Sequence, residues 1–177
     1  MNRCLEGILS KHSRAWKSDL GPFATRLLYE RILSQWDARG LQLKAEYQVL
    51  NDYYYTKEHE WLRVEGDQCR IGVTDYAQDS LHEIVYVDLP KVGLKVTQMQ
   101  SLGTVESVKA VADVYSPISG TVLEVNSELS DAPELVNKSP YDKGWITMIR
   151  PDDLKKDLAS LMKPEAYRDL VKKITQK

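Results

Sequence analysis

From Tyr53 onward, the apolar residues of this chain cluster in short runs rich in β-branched and aromatic side chains. Gly, Pro, Asp and Asn separate these runs, and these residues favour the turns between strands. Four of the runs cover residues 69–73, 84–89, 121–125 and 145–149. The pattern therefore predicts a small, mainly β module.

Helical spacing precedes, interrupts and follows the β pattern. Residues 20–39 carry apolar side chains four positions apart and are followed by glycine, which predicts a helical N-terminal arm. Asp75 to Leu81 begins with an acid three positions before a glutamine, as at a helix start. After Pro151 the apolar spacing is helical again, and Pro164 divides it where a first helical turn tolerates proline. We therefore expect two C-terminal helices that pack on the sheet.

The tripeptide Gly-Thr-Val occurs twice, beginning at Gly103 and at Gly120, and each copy opens an apolar segment. Two similar strands around a turn are typical of a hairpin, so we expect the two segments to pair. Residues 116–120 supply a further turn, because proline fixes φ and glycine permits positive φ.

Composition narrows the class of protein. The chain has 177 residues, 42% of them hydrophobic, which suits one core with an appended arm. A net charge of −2 makes nucleic acid a poor partner, and no apolar run approaches the length of a membrane span. The cysteines, Cys4 and Cys69, lack the spacing of a redox pair or zinc site and fit a reducing compartment. We divide the chain into an extension of residues 1–50 and a domain of residues 51–177.

The usual catalytic and nucleotide-binding motifs are missing from the sequence. It has no G-x-G-x-x-G, P-loop, H-E-x-x-H or G-x-S-x-G pattern. A catalytic triad that assembles only in space stays open, but no residue points to one. We therefore predict a protein without catalytic residues and without a metal site.

Several ordered segments resemble one family. They are His59-Glu60-Trp61, Gly72 to Gln78, Val85 to Pro90, Val92-Gly93, Glu106 to Ala110, Tyr115 to Gly120, Leu135 to Tyr141 and Gly144-Trp145. Over about residues 54–171 the chain resembles the H proteins of the glycine cleavage system, which carry lipoic acid. The resemblance implies a barrel-sandwich hybrid of antiparallel strands, similar to other lipoyl and biotinyl carriers. Residues 1 to about 50 lie outside the resemblance.

The resemblance implies that Lys109 carries lipoic acid in amide linkage. Ser107, Ala110 and Ala112 around it are small, so a hairpin tip here would neither bury nor crowd a long side chain. Without the matching segments, Lys109 would be one of 15 lysines on a solvated surface. Biotin carriers of similar fold place the lysine between methionines, whereas Lys109 lies between Val108 and Ala110, so we expect lipoate.

By the same resemblance, the protein shuttles the aminomethyl group of glycine between enzymes. Glycine decarboxylase, which uses pyridoxal phosphate, would load the carrier, and aminomethyltransferase would pass the one-carbon unit to tetrahydrofolate. Dihydrolipoamide dehydrogenase would reoxidise the dithiol, and lipoyl-attachment enzymes would modify the lysine. One alternative is an H-like protein that relays lipoate without handling aminomethyl groups, and a biotinyl carrier is a third possibility.

In this family the loaded arm folds into a surface cleft. The positions that match the cleft are Glu58, Glu60 and Asp113, whose carboxylates would hold a protonated amine. Ser80 stands where family members often have a histidine, which predicts weaker sequestration of the arm. We expect Asp157 to be a surface acid outside this cleft.

The N-terminal extension points to two locations. Arg3, Lys11, Arg14 and Lys17 favour a mitochondrial targeting segment, although acids after residue 18 do not fit one. The family works in the mitochondrial matrix of eukaryotes and in the cytoplasm of bacteria, so we expect the matrix for a eukaryotic chain and the cytoplasm for a bacterial one.

Overall fold

The computed structural model describes residues 46–176. The helix predicted over residues 20–39 and the targeting segment predicted at the N-terminus lie outside these residues. From Tyr47 onward the chain forms one compact unit. Across the described part of the chain, no helix is both long enough and apolar enough to span a bilayer.

The described residues form nine strands in two antiparallel sheets. The strands are β1 (Tyr54–Tyr55), β2 (Glu60–Glu65), β3 (Gln68–Val73), β4 (Ile84–Val87), β5 (Lys95–Val96), β6 (Ser101–Ser107), β7 (Val111–Tyr115), β8 (Gly120–Val125) and β9 (Thr147–Pro151). One sheet has six strands in the order β1-β2-β3-β9-β8-β5, and the other has three in the order β4-β6-β7. The prediction of a mainly β domain of antiparallel strands is confirmed.

Four α-helices accompany the sheets within residues 46–176: α1 (Asp75–Leu81), α2 (Leu135–Lys138), α3 (Leu154–Leu158) and α4 (Pro164–Thr175). A short 3-10 helix, Ser127–Ser130, follows β8. The predicted helix after β3 is therefore confirmed, but Thr74 caps it rather than Asp75, because the Thr74 hydroxyl oxygen accepts the Ala77 N–H at 3.3 Å. Pro164 occupies the first turn of α4, where its missing N–H costs no helical hydrogen bond.

The two Gly-Thr-Val segments do not pair, so that prediction is wrong. The first lies in β6, which pairs with β7, and the second begins β8 in the other sheet. Both glycines instead lie where another backbone passes very close. A Cβ at Gly103 would overlap the carbonyl oxygen of Asp88, and one at Gly120 would overlap that of Arg150. The repeat marks two such crossings rather than one hairpin.

Three apolar clusters hold the sheets and helices together. One lies under the three-stranded sheet and includes Val105, Val114 and Val136, which are almost completely buried. A second lies between the six-stranded sheet and α3. The third is aromatic and joins β1, β2 and α4, with Trp61 and Tyr167 fully buried. The hairpin of β6 and β7 is therefore supported from below by a packed core.

Residues 47–50 also pack on the domain. The Tyr141 hydroxyl donates to the carbonyl oxygen of Gln48 at 2.6 Å, and the Leu50 N–H donates to the Tyr55 hydroxyl oxygen at 2.8 Å. The contacts of the β domain therefore extend a few residues before residue 51, the predicted start of the domain.

Candidate functional site

The β6–β7 hairpin ends in a tight turn of residues 107–110. The N–H of Ser107 donates to the carbonyl oxygen of Ala110 at 2.8 Å. The hydroxyl oxygen of Ser107 accepts the N–H groups of Lys109 at 3.2 Å and of Ala110 at 3.1 Å. One serine thus fixes the backbone on both sides of the lysine, and the Lys109 side chain is exposed.

The surroundings of Lys109 suit an attached acyl arm. Ser107 and Ala110 are small, and the flanking Val108 and Val111 are 67% and 64% exposed. The strands below the turn are anchored by the buried core under the sheet. A lysine presented in this way can enter the active site of another protein while the domain stays folded, so the site fits a group bound covalently to its Nζ.

Glu60 lies below this hairpin and joins the two sheets. Its side chain begins on β2 and is 1% exposed. Its Oε1 accepts the N–H of Tyr115, the last residue of β7, at 2.9 Å. Its Oε2 accepts the hydroxyl of Thr56. Burial raises the pKa of the Glu60 carboxyl, whereas these two hydrogen bonds act in the opposite direction.

A turn at residues 56–60 explains why Glu60 is buried while Glu58 is exposed. His59 has a φ of 78°, which breaks the alternation expected of a strand. The N–H of Thr56 donates to the carbonyl oxygen of Glu60 at 3.0 Å, closing the turn. The His59 ring holds this conformation from outside, because its Nδ1 lies 2.9 Å from the Tyr167 hydroxyl oxygen.

The exposed carboxylate of Asp113 contacts Tyr115 at the surface. The Tyr115 hydroxyl lies 3.5 Å from Oδ2 of Asp113, and the Ser101 hydroxyl donates to Oδ1 of Asp113 at 2.9 Å. The negative charge of Asp113 raises the pKa of Tyr115, with further contributions from Glu58 and Glu60. Of the three predicted acids, Glu60 and Asp113 thus contact Tyr115, and Glu58 acts on the pKa of Tyr115 through its charge.

Ser80 does not join this cluster through any hydrogen bond that the described residues show. It is exposed on α1, and its hydroxyl donates to the carbonyl oxygen of Tyr76 at 2.8 Å. Sequence reasoning also missed Tyr115 and Thr56. The available signal for Tyr115 was its position at the start of a matching segment.

Two further residues with reactive side chains, Asp157 and Cys69, are buried. Asp157 is only 4% exposed, and its Oδ2 accepts the N–H of Ser119 at 2.6 Å. The expectation that Asp157 is a surface acid is therefore wrong, because the acid anchors the loop before β8. Cys69 is fully buried, and burial raises the pKa of its thiol to about 12, so this thiol is a poor nucleophile near neutral pH.

The chain is similar to known proteins both in a family profile and in individual sequences. The profile of the family Glycine cleavage H-protein matches residues 53–174. A glycine cleavage system H protein of Geobacillus kaustophilus is 55% identical over 117 residues, covering 66% of this chain and 91% of that protein. A probable glycine cleavage system H protein of Pyrococcus abyssi is 50% identical over 131 residues, covering 73% and 97%.

A solved structure is also similar. The crystal structure of a glycine cleavage system H protein from Mycobacterium marinum has 34% sequence identity and a TM-score of 0.63, and the match covers 68% of this chain and 97% of that one. These three organisms have no mitochondria, so the comparisons do not support the predicted mitochondrial targeting.

The chain belongs to the glycine cleavage H-protein family. Members of this family are lipoyl carriers, and the protein is a non-catalytic component of the glycine cleavage system. The predicted barrel-sandwich fold and the prediction that the protein is not an enzyme are confirmed.

Proposed function

We propose that Lys109 carries lipoic acid and that the chain shuttles the aminomethyl group of glycine from glycine decarboxylase to aminomethyltransferase. Dihydrolipoamide dehydrogenase then restores the oxidised carrier, and lipoyl-attachment enzymes modify Lys109. The observation that carries this proposal is the position of Lys109 at an exposed turn in a chain of this family.

The lipoyl group supplies a dithiolane that accepts and releases the aminomethyl group, which is chemistry that the chain lacks. The residues of the chain present and orient that group. Ser107 holds the turn, the small side chain of Ala110 leaves room beside the lysine, and the core under β6 and β7 keeps the hairpin rigid. A tether of this kind maintains about millimolar local concentration at the partner's active site.

We infer that Glu58 and Asp113 hold the carried amine when the arm rests on the domain. Both carboxylates are exposed, and the charge of each raises the pKa of Tyr115. A protonated amine between two carboxylates gains charge-assisted hydrogen bonds, and this shields it from water. The acids favour a carrier of a cationic load over a protein that only relays lipoate. Ser80 contributes no charge to this cleft.

The lysine assignment is tested by Lys109→Arg. Arginine keeps the positive charge and exposure but cannot form the lipoyl amide. We expect no lipoyl addition by intact mass, no glycine decarboxylation with the partner enzymes, and an unchanged unfolding midpoint. Lys155→Arg, at an exposed position of α3, is the matched control. Decarboxylation by the Lys109→Arg variant at the parental rate would place the carrier lysine elsewhere.

The cleft is tested by loading methylamine onto the lipoylated protein and following the release of ammonia and formaldehyde. Glu58→Gln and Asp113→Asn should each release them about fivefold faster, since an exposed ion pair contributes up to about 1 kcal/mol. Asp67→Asn, in the exposed turn at the far end of β2, is the control because it changes the net charge equally. Equal release rates in all variants would exclude these acids as partners of the amine.

A further inference from the structure

The turn that carries Lys109 has an unusual backbone for a hairpin. Two residues, Val108 and Lys109, connect Ser107 at the end of β6 to Ala110 just before β7. Two-residue connections favour backbones with positive φ, which match the right-handed twist of the paired strands, and Gly, Asn or Asp supply them. Within residues 46–176, positive φ occurs at three residues other than glycine, and none of them lies in this turn. The turn therefore lacks the usual means of closing such a hairpin.

The hydroxyl group of Ser107 supplies that closure. Its oxygen accepts the N–H groups of Lys109 and Ala110, and the hydroxyl donates to the carbonyl oxygen of Ala110 at 3.2 Å. The described residues show no other acceptor for these two N–H groups. Without the hydroxyl, the bond from the Ser107 N–H to the Ala110 carbonyl oxygen would remain alone in the turn. One side-chain group thus sets the conformation of the backbone at Lys109.

We propose that Ser107 is a positioning residue for the acylation of Lys109, because it holds the turn in the shape that a lipoyl-attachment enzyme recognises. This inference rests on the proposed function and deepens it. It concerns recognition of the unmodified carrier, a step that precedes any use of the lipoyl arm.

The short reach of an unmodified lysine supports this role. An enzyme that acylates Nζ must bring its active site close to the turn, because only the lysine side chain separates Nζ from the backbone. The neighbours that it meets there are Val108 and Val111, which are 67% and 64% exposed. Neither side chain carries a polar group that could orient a partner. The direction in which Lys109 points therefore depends on the backbone of the turn.

A loosened turn would lower the apparent affinity of the enzyme for the carrier. Lys109 and Ala110 are exposed, so their N–H groups bond to water when the hydroxyl is removed, and the domain stays folded. The turn then adopts the recognised shape for a smaller fraction of the time. An apparent dissociation constant rises by the inverse of the fraction that is competent to bind. Ser107→Ala should therefore raise the KM of the carrier in lipoyl attachment and leave kcat unchanged.

The test compares Ser107→Ala with Ser107→Thr in the full chain, since threonine keeps the hydroxyl group. Attachment is followed by intact mass with lipoic acid, ATP and a purified lipoyl ligase. We expect the KM of Ser107→Ala to be about tenfold higher, with kcat within about twofold of the parent and near-parental values for Ser107→Thr. Ser130→Ala is the matched control, because Ser130 is exposed in the 3-10 helix after β8 and shows no side-chain hydrogen bond among the described residues.

Two further measurements separate the shape of the turn from the reactivity of the amine. Amide hydrogen exchange at Ala110, measured by NMR on the unmodified protein, should be about tenfold faster in Ser107→Ala. Exchange at Val105, which is fully buried inside β6, should stay parental. Acetylation of Lys109 by a small N-hydroxysuccinimide ester, measured by peptide mapping, should also keep the parental rate, because such a reagent does not recognise the turn.

Three results would each overturn the proposal. They are a parental KM in Ser107→Ala, a KM in Ser107→Thr as high as that of Ser107→Ala, and slower chemical acetylation in Ser107→Ala, which would place the effect on the amine. If Ser107→Ala does not fold, Ser107→Gly, which also lacks the hydroxyl, takes its place in the same comparison. Failure of the proposed function would appear separately, as absent lipoylation of the parent at Lys109.

Discussion

Removing the hydroxyl group of Tyr167 by the substitution Tyr167→Phe should destabilise the domain without opening a cavity. Tyr167 is fully buried on α4, and its ring stacks on Tyr55 with centroids 4.5 Å apart. Its hydroxyl oxygen lies 2.7 Å from the Thr74 hydroxyl oxygen and 2.9 Å from Nδ1 of His59. One atom therefore links α4 to the cap of α1 and to the turn that positions Glu60.

The expected cost for Tyr167→Phe follows from these contacts. Each hydrogen bond contributes about 0.5–1.5 kcal/mol net, so two give about 1–3 kcal/mol. The ring and its stacking remain, so no large cavity cost is added. Thr74 keeps its bond to the Ala77 N–H, which places the cost below that of removing the helix cap as well. Truncation to alanine would cost about 3–5 kcal/mol.

Urea unfolding followed by tryptophan fluorescence measures this change, because the buried Trp61 reports on the same aromatic cluster. The midpoint should fall while the slope with denaturant stays constant. Tyr86→Phe is the matched control, since Tyr86 is 50% exposed on β4 and the same atom is removed there. Tyr86→Phe should stay within about 0.5 kcal/mol of the parent. A Tyr167→Phe variant that also stays within about 0.5 kcal/mol would refute the reasoning.

Three further predictions concern the fold. Gly103→Ala should lower the free energy of unfolding in urea by more than about 2 kcal/mol, because the new Cβ would overlap the backbone of Asp88. Gly66 has a positive φ but open space around it, so Gly66→Ala should lower it by about 1 kcal/mol. Equal losses in the two variants would contradict this prediction. Burial lowers the pKa of His59, so below about pH 6.5 the unfolded chain binds more protons than the folded one, and the free energy of unfolding should fall as the pH drops through that range. Asparagine tolerates positive φ, so His59→Asn should flatten this pH dependence. An unchanged pH profile in His59→Asn would count against this explanation. Deletion of residues 1–46 should leave cooperative unfolding intact by calorimetry, and a broad transition would show that the domain needs the extension.

Much of the domain could be predicted from local patterns. The runs of β-forming residues correspond to β3, β4, β8 and β9, with ends that differ by up to two residues. The helix at residues 75–81 and the break at Pro164 were also predictable. These features depend on strand and helix preferences, turn residues and the position of proline. Such signals act within a few residues, so they can be read from the sequence without knowing the fold. The small residues around Lys109 belong to the same class of local signal.

Local patterns failed where pairing between distant segments decides the outcome. The two Gly-Thr-Val copies look like partners, but β6 pairs with β7 and β8 pairs with β9 and β5, because the sheets divide between them. By its sequence, Asp157 resembles a surface acid on a short helix. In the structure it is buried, because its carboxylate accepts a hydrogen bond from a backbone N–H of the loop before β8. An acid of this kind is buried only when a donor from elsewhere in the fold meets it.

The sequence by itself determined the strands β3, β4, β8 and β9, the helix at residues 75–81, the family and the lysine at the turn of residues 107–110, since each rests on neighbouring residues or on ordered motifs. Only the tertiary structure decided the roles of the acids. Glu58 and Glu60 are two positions apart and look alike in sequence, but one is exposed and the other is enclosed between two sheets. The physical reason is that Tyr115, 55 residues away along the chain, supplies the N–H that makes burial of the Glu60 carboxyl affordable.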